Sequence, residues 1–160
     1  MVHRLAETAP LATIRSILLW TLLAGTIGML LELLLIGHDE MATQFAPLLL
    51  LGAGILVAAW TLAAPRVLAI RTLQVLMVAF VASGLIGVAL HYNGNEAFEL
   101  EMAPSSAGLS LVSKTLTGAT PVLAPGSMSL LGFVGLAFAH RHPLLRSRTE
   151  TRSRTEEAHS

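Results

Sequence analysis

The chain reads as an all-α membrane protein, a bundle of four transmembrane helices with both termini cytoplasmic and a longer outer loop between helices three and four. Three observations predict this. Its 160 residues are 54% hydrophobic and only 12% charged, where a soluble domain carries about 25% charged residues, and its mean hydropathy is +0.70. Apolar runs of about 20 residues recur, and at about 1.5 Å per residue each crosses a hydrocarbon core of about 30 Å. Finally, arginine falls on one side of the four-span path, while His38, Asp39, Glu40, His91, Glu96, Glu99 and Glu101 fall on the other.

Residues 1–145 are expected to form the membrane domain, with helices over about 12–37, 45–64, 67–91 and 121–140. Helix one follows a short polar start; its core, 17–36, is apolar apart from Trp20, Thr21, Thr26 and Glu32. A cleaved signal peptide competes here, since Arg4 and Arg15 precede the run. The run is longer than an h-region of about 7–15 residues and no small-x-small site follows it. Gly37, His38, Asp39 and Glu40 turn the chain into helix two, where Pro47 sits in the first turn and its missing N–H costs little.

Ala64, Pro65 and Arg66 make a short turn into helix three. That helix is expected to end near His91, because Asn93-Gly94 is a turn dipeptide. Within the outer loop 92–120, the alternation of Phe98, Leu100 and Met102 with Glu99 and Glu101 predicts a short strand over 97–102. An amphipathic helix is then expected after Pro104 and Ser105, with Leu109, Val112 and Leu116 on an apolar face lying along the interface. Pro121 and Pro125 leave helix four with two readings: a helix from Pro121 kinked at Pro125, or a short helix from Pro125. The tail, 146–160, repeats RSRTE and is read as disordered and cytoplasmic.

Orientation follows from Arg4, Arg15, Arg66, Arg71, Arg141, Arg146, Arg148, Arg152 and Arg154 lying on one side and Lys114 on the other, since positive residues near span ends stay cytoplasmic. A bacterial inner membrane is the expected location. The zero net charge hides this sidedness, and no basic surface points to nucleic acid. Without cysteine there is no disulfide and no thiolate site.

Helices in lipid associate through small residues and shared polar groups. Gly25 and Gly28 in helix one, Ala79, Ser83, Gly84 and Gly87 in helix three, and Gly132 and Gly135 in helix four are therefore the expected packing positions. Gly25-x-x-Gly28-x-x-x-Glu32 has the spacing of Gly84-x-x-Gly87-x-x-x-His91. Helices two and four share an early Ala-Pro with a glycine seven residues beyond the proline, a pattern consistent with tandem duplication or with chance recurrence.

A carboxylate inside a span faces the interior with a partner, so Glu32 is the first candidate for a polar site, with His38, His91, Tyr92 and Glu96. At about 100° per residue, His91 lies about 20° from Gly84, on the packing face. Glu32 and His91 form a candidate polar clasp; interfacial exposure of Glu32, or a proton or ligand site, are the alternatives. His38 and His91 would be the ligands of any Zn, Cu or haem, although no local His spacing supports a metal and no cofactor is expected by default. His140 and His142 look like boundary residues.

Serine-hydrolase, phosphate-loop and zinc-protease motifs are absent, and Ser127 and Ser129 have no nearby base in sequence. The expectation is a non-catalytic accessory, assembly or interaction subunit that presents an acidic and imidazole-rich surface to a protein partner or to itself. The alternative is a metal-, haem- or proton-binding membrane protein using Glu32, His38 and His91.

Overall fold

The computed structural model describes residues 2–37 and 44–145. They form α1 (Val2–Leu35), α2 (Phe45–Ala63), α3 (Val67–Met102), α4 (Gly108–Leu116) and α5 (Gly126–Ala139), with no strand among the described residues. Ala9–Leu35 within α1, α2 and α3 are each long and apolar enough to cross a membrane, the construction of an integral membrane protein. The turn at 38–40, with His38, and the tail 146–160 lie outside the described residues.

Helix starts and stops follow local chemistry. α1 begins at Val2, not near 12, and runs through Pro10. In α2, Pro47 falls in the first turn, where backbone N–H groups have no intrahelical partner to lose. Pro65 disfavours a helical conformation at Ala64, which takes φ −143° and ψ 78° and ends the helix. Arg66 is extended before α3 resumes, so α2 and α3 double back on each other.

The expected end of helix three near His91 is wrong, and so is the strand at 97–102. α3 runs on through Gly94 to Met102, 36 residues in all and about 54 Å long. Glu96, Ala97, Glu99, Leu100, Glu101 and Met102 are strong or fair helix formers, and an interior glycine costs only about 1 kcal/mol. An alternation six residues long is too weak to override this.

α5 is the shorter of the two sequence readings. Pro125 is its N-cap residue, at φ −62° and ψ −21°. The approach to it is a series of tight turns, in which the N–H groups of Ala124, Gly126, Ser127 and Met128 donate to the carbonyls of Pro121, Leu123, Ala124 and Pro125. The expected amphipathic helix exists as α4, starting at Gly108 (φ +61°). Leu109, Val112 and Leu116 are exposed on it.

α1 packs against α2 and α5; α3 packs against α2, α5 and, further along, α4. α1 and α3 therefore stand diagonally opposite. Leu22, Leu51, Ile70, Leu73, Met77 and Phe80 are fully buried between the helices. Thr26 and Thr61, also buried, donate to the Leu22 and Val57 carbonyls at 2.7 and 2.8 Å, which satisfies both hydroxyls within their own helices.

The α3–α5 contact is a backbone approach. A Cβ on Gly84 would lie 2.7 Å from the Ser129 nitrogen and 2.8 Å from the Pro125 oxygen, and one on Gly132 would lie 2.7 Å from the Met77 oxygen. Gly87 meets the Pro125 ring and Gly135 the Met77 thioether. Ser129 Oγ donates to the Val81 carbonyl at 2.9 Å, joining the two helices. Ala79 and Ser83 are only half-buried. Helix α1 differs: Gly25 meets the tip of Leu131, while Gly28 has nothing within 4 Å.

Replacing Gly84 or Gly132 by Ala drives a methyl into backbone that cannot swing aside, so each is expected to cost about 1–3 kcal/mol. Gly28→Ala, with open space and better helix propensity, is expected to leave thermal stability in detergent unchanged or slightly raised. Equal melting temperatures for all three variants would contradict the backbone contact.

Candidate functional site

The polar residues of the chain gather at the two ends of the long helices. At the His91 end, α3 continues beyond the apolar run and carries His91, Tyr92, Asn95, Glu96, Glu99 and Glu101 on one rigid rod. Asn95 fastens the following chain to that rod. Its Nδ2 donates to the carbonyls of Thr115 (2.9 Å) and Thr120 (2.7 Å), and its Oδ1 accepts from the Thr120 N–H (3.2 Å). Carbonyls only accept, so the amide orientation is fixed by its partners. Asn95 is 4% exposed, and Gly118 lies so close that a Cβ there would be 2.7 Å from the amide nitrogen.

His91 makes a second fastening, from Nδ1 to the Pro121 carbonyl at 3.0 Å. The carbonyl is an acceptor, so Nδ1 carries the hydrogen and Nε2 is left for any other partner. Glu99 and Lys114 approach to 3.9 Å across α3 and α4; the pair is solvated and contributes little. Tyr92 and Glu96 are half-buried on α3.

Glu32 sits elsewhere. It is exposed on the last turns of α1 and lines a cleft of about 460 Å³ between α1 and α5, with Gly25, Gly28, Met29, Ser127, Leu130, Leu131 and Val134. Among the described residues its carboxylate has no hydrogen-bond or ion-pair partner, and nothing of that kind joins it to His91. The two residues occupy diagonal helices, and the His91 imidazole is held by Pro121 instead. Among the described residues no three His, Asp or Glu side chains come together to hold a metal.

At the opposite end, Arg15 reaches from α1 to the C-terminus of α5. Its Nη2 donates to the His140 and Arg141 carbonyls, both at 3.3 Å, a cation placed on the negative end of a helix dipole. Arg141 takes φ +47° there, a left-handed conformation that costs a non-glycine residue about 1–2 kcal/mol. His142 packs its ring 5.4 Å from that of Phe138. Burial, and then the nearby Arg15 charge, hold the His142 pKa below its usual 6.5.

Sequence reading passed over Asn95, which sits beside an Asn-Gly turn signal, and treated Arg15 only as a topological marker. No local pattern announces either contact, since the partners lie 20–25 and 125–126 residues away in sequence.

Two measurements follow. Asn95→Asp removes both amide donors and leaves the Thr115 and Thr120 carbonyls unmatched, at about 1–3 kcal/mol; hydrogen exchange is expected to speed up over 115–121 and stay unchanged in α2. For His142, the unfolded chain binds a proton more readily than the folded one, so its contribution to stability falls as pH drops below 6.5. Between about pH 8 and about pH 5.5, His142→Phe should lose less melting temperature than the parent. No protein-family model, curated protein or solved structure matches the chain, so the functional reading rests on this geometry.

Proposed function

We propose that the chain is a four-span subunit of a bacterial cytoplasmic membrane, with both termini cytoplasmic, that has no catalytic role and engages another membrane protein through the polar platform at its His91 end. The fourth span is α5 with the tight turns before it. Fourteen α-helical residues give about 21 Å, and five residues in tighter i→i+3 turns add about 10 Å, together close to the hydrocarbon thickness of about 30 Å. The Arg15 contact with Arg141 supports placing the N- and C-terminal basic residues at one membrane face, together with Arg66 and Arg71.

The observation that carries the reading is the fastened extension of α3. Residues 92–102 of α3, about 17 Å of helix, stand beyond the apolar run with Glu96, Glu99 and Glu101 on them. Asn95 and His91 tie the chain from Thr115 to Pro121 against that rod. Phe98 and Met102 are exposed on it and Leu109 on the neighbouring α4, giving an acidic surface with apolar anchors, the combination that protein interfaces use. Among the described residues, Ser127 Oγ donates to the Ala124 carbonyl and Ser129 Oγ to the Val81 carbonyl.

The natural chain has no cysteine, which makes single-cysteine labelling clean. In intact cells, Ser105→Cys should react with an impermeant maleimide, while His140→Cys, exposed just past α5, should react only after lysis. A photo-crosslinking residue at Phe98 should give one discrete adduct, identified by mass spectrometry, that fades in Asn95→Asp. Labelling of His140→Cys in intact cells, or absence of any Phe98 adduct, would contradict the proposal.

A further inference from the structure

The cleft between α1 and α5 has an occupant of definable chemistry. Its walls are apolar apart from Glu32 and Ser127, and the Ser127 hydroxyl is already engaged with the Ala124 carbonyl. Leu130, in its wall, is more than half exposed. The cleft therefore opens sideways to the bilayer. Gly28 is exposed and has nothing within 4 Å, so this stretch of the α1 surface is open.

The depth of Glu32 follows from helix rise. The apolar span of α1 runs from Ala9 to Leu35. Glu32 lies three residues before its end, about 5 Å along the helix axis. Its carboxylate thus reaches the level where lipid headgroups begin. At that level the exposed carboxylate is open to headgroup donors, and no described residue donates to it.

We infer that this cleft is a binding site for a membrane lipid with a primary-ammonium headgroup, of the phosphatidylethanolamine type, in the leaflet on the Glu32 side. The ammonium donates to the Glu32 carboxylate, and an acyl chain runs along Gly28 toward Leu131 and Val134. A primary ammonium offers three N–H donors; a quaternary one offers none, so the site discriminates between them. The hollow is shallow and open, a shape for an acyl chain laid along the helix surface and not for an enclosed ligand. A partner helix, about 10–12 Å across, would rest only on its mouth. A second copy of the chain is disfavoured by charge, because a symmetric α1 contact sets Glu32 against Glu32.

The site is separate from the platform on α3, and its test reads neither adduct formation nor topology. Purified full-length protein is incubated with phosphatidylethanolamine and phosphatidylcholine of identical acyl chains, and bound lipid is counted by native mass spectrometry. The parent should retain the ethanolamine lipid about tenfold over the choline lipid, the preference expected of one charge-assisted hydrogen-bonded pair. Glu32→Gln should abolish the preference while keeping the parent melting temperature, and Gly28→Leu should reduce binding of both lipids. Equal retention of the two lipids by the parent, or an undiminished preference in Glu32→Gln, overturns the inference. So does displacement of bound lipid by a transmembrane peptide bearing one lysine at the Glu32 level when phosphatidylethanolamine in excess does not restore it. If Gly28→Leu does not fold, the Glu32→Gln comparison decides alone.

Discussion

The closeness of α3 and α5 is the constraint on which the rest of the structure depends. Lipid tails solvate leucine as well as another helix does, so apolar burial alone gives two helices little reason to associate in a membrane. Association then relies on van der Waals contact at short range and on hydrogen bonds between helices. Gly84 and Gly132 place the two backbones at a separation that no side chain would permit, with the Ser129 hydroxyl bridging to the Val81 carbonyl. α1 also packs on α5, with Gly25 against Leu131 and Leu22 against Gly135.

The same contact positions the polar end of the molecule. Gly87 lets Pro125 sit against α3, and from there the turns 121–125 carry the chain back toward His91. His91 and Asn95 then take the carbonyls of Pro121, Thr115 and Thr120. The Thr115 carbonyl lies in the last turn of α4, where carbonyls have no intrahelical partner, Thr120 lies beyond that helix, and an unpaired buried carbonyl is costly. One asparagine answers most of that need, which is why an irregular segment can lie ordered on α3 between α4 and α5. The segment exposes Leu109, Val112 and Leu116 of α4 on its far side, an apolar stripe suited to a membrane interface.

Charge is distributed by end and by partner. Arg15 closes the C-terminus of α5, where backbone carbonyls accumulate negative potential, and so ties α1 to the last helix at that end. Toward the other end, Glu32 lines the shallow cleft between α1 and α5. The α1–α5 pair thus carries a hydrogen-bonded guanidinium at one end and an exposed carboxylate at the other.

The sequence by itself determined that the chain is helical and apolar on the scale of a membrane, where α2 begins and where the turn into α3 falls, because these depend on composition, proline and run length. It also marked Gly84, Gly87, Gly132 and Gly135 as places of small volume. Only the tertiary structure decided that α3 continues through Asn93-Gly94, that Asn95 holds residues 115–120, that His91 faces Pro121 and not Glu32, and that Gly28 is left open while Gly84 is closed over. The physical reason is one of range. Proline and glycine act on their own backbone within a turn, whereas an asparagine amide or an arginine guanidinium takes its role from a carbonyl many residues away, brought near by helices whose diagonal order no local pattern encodes.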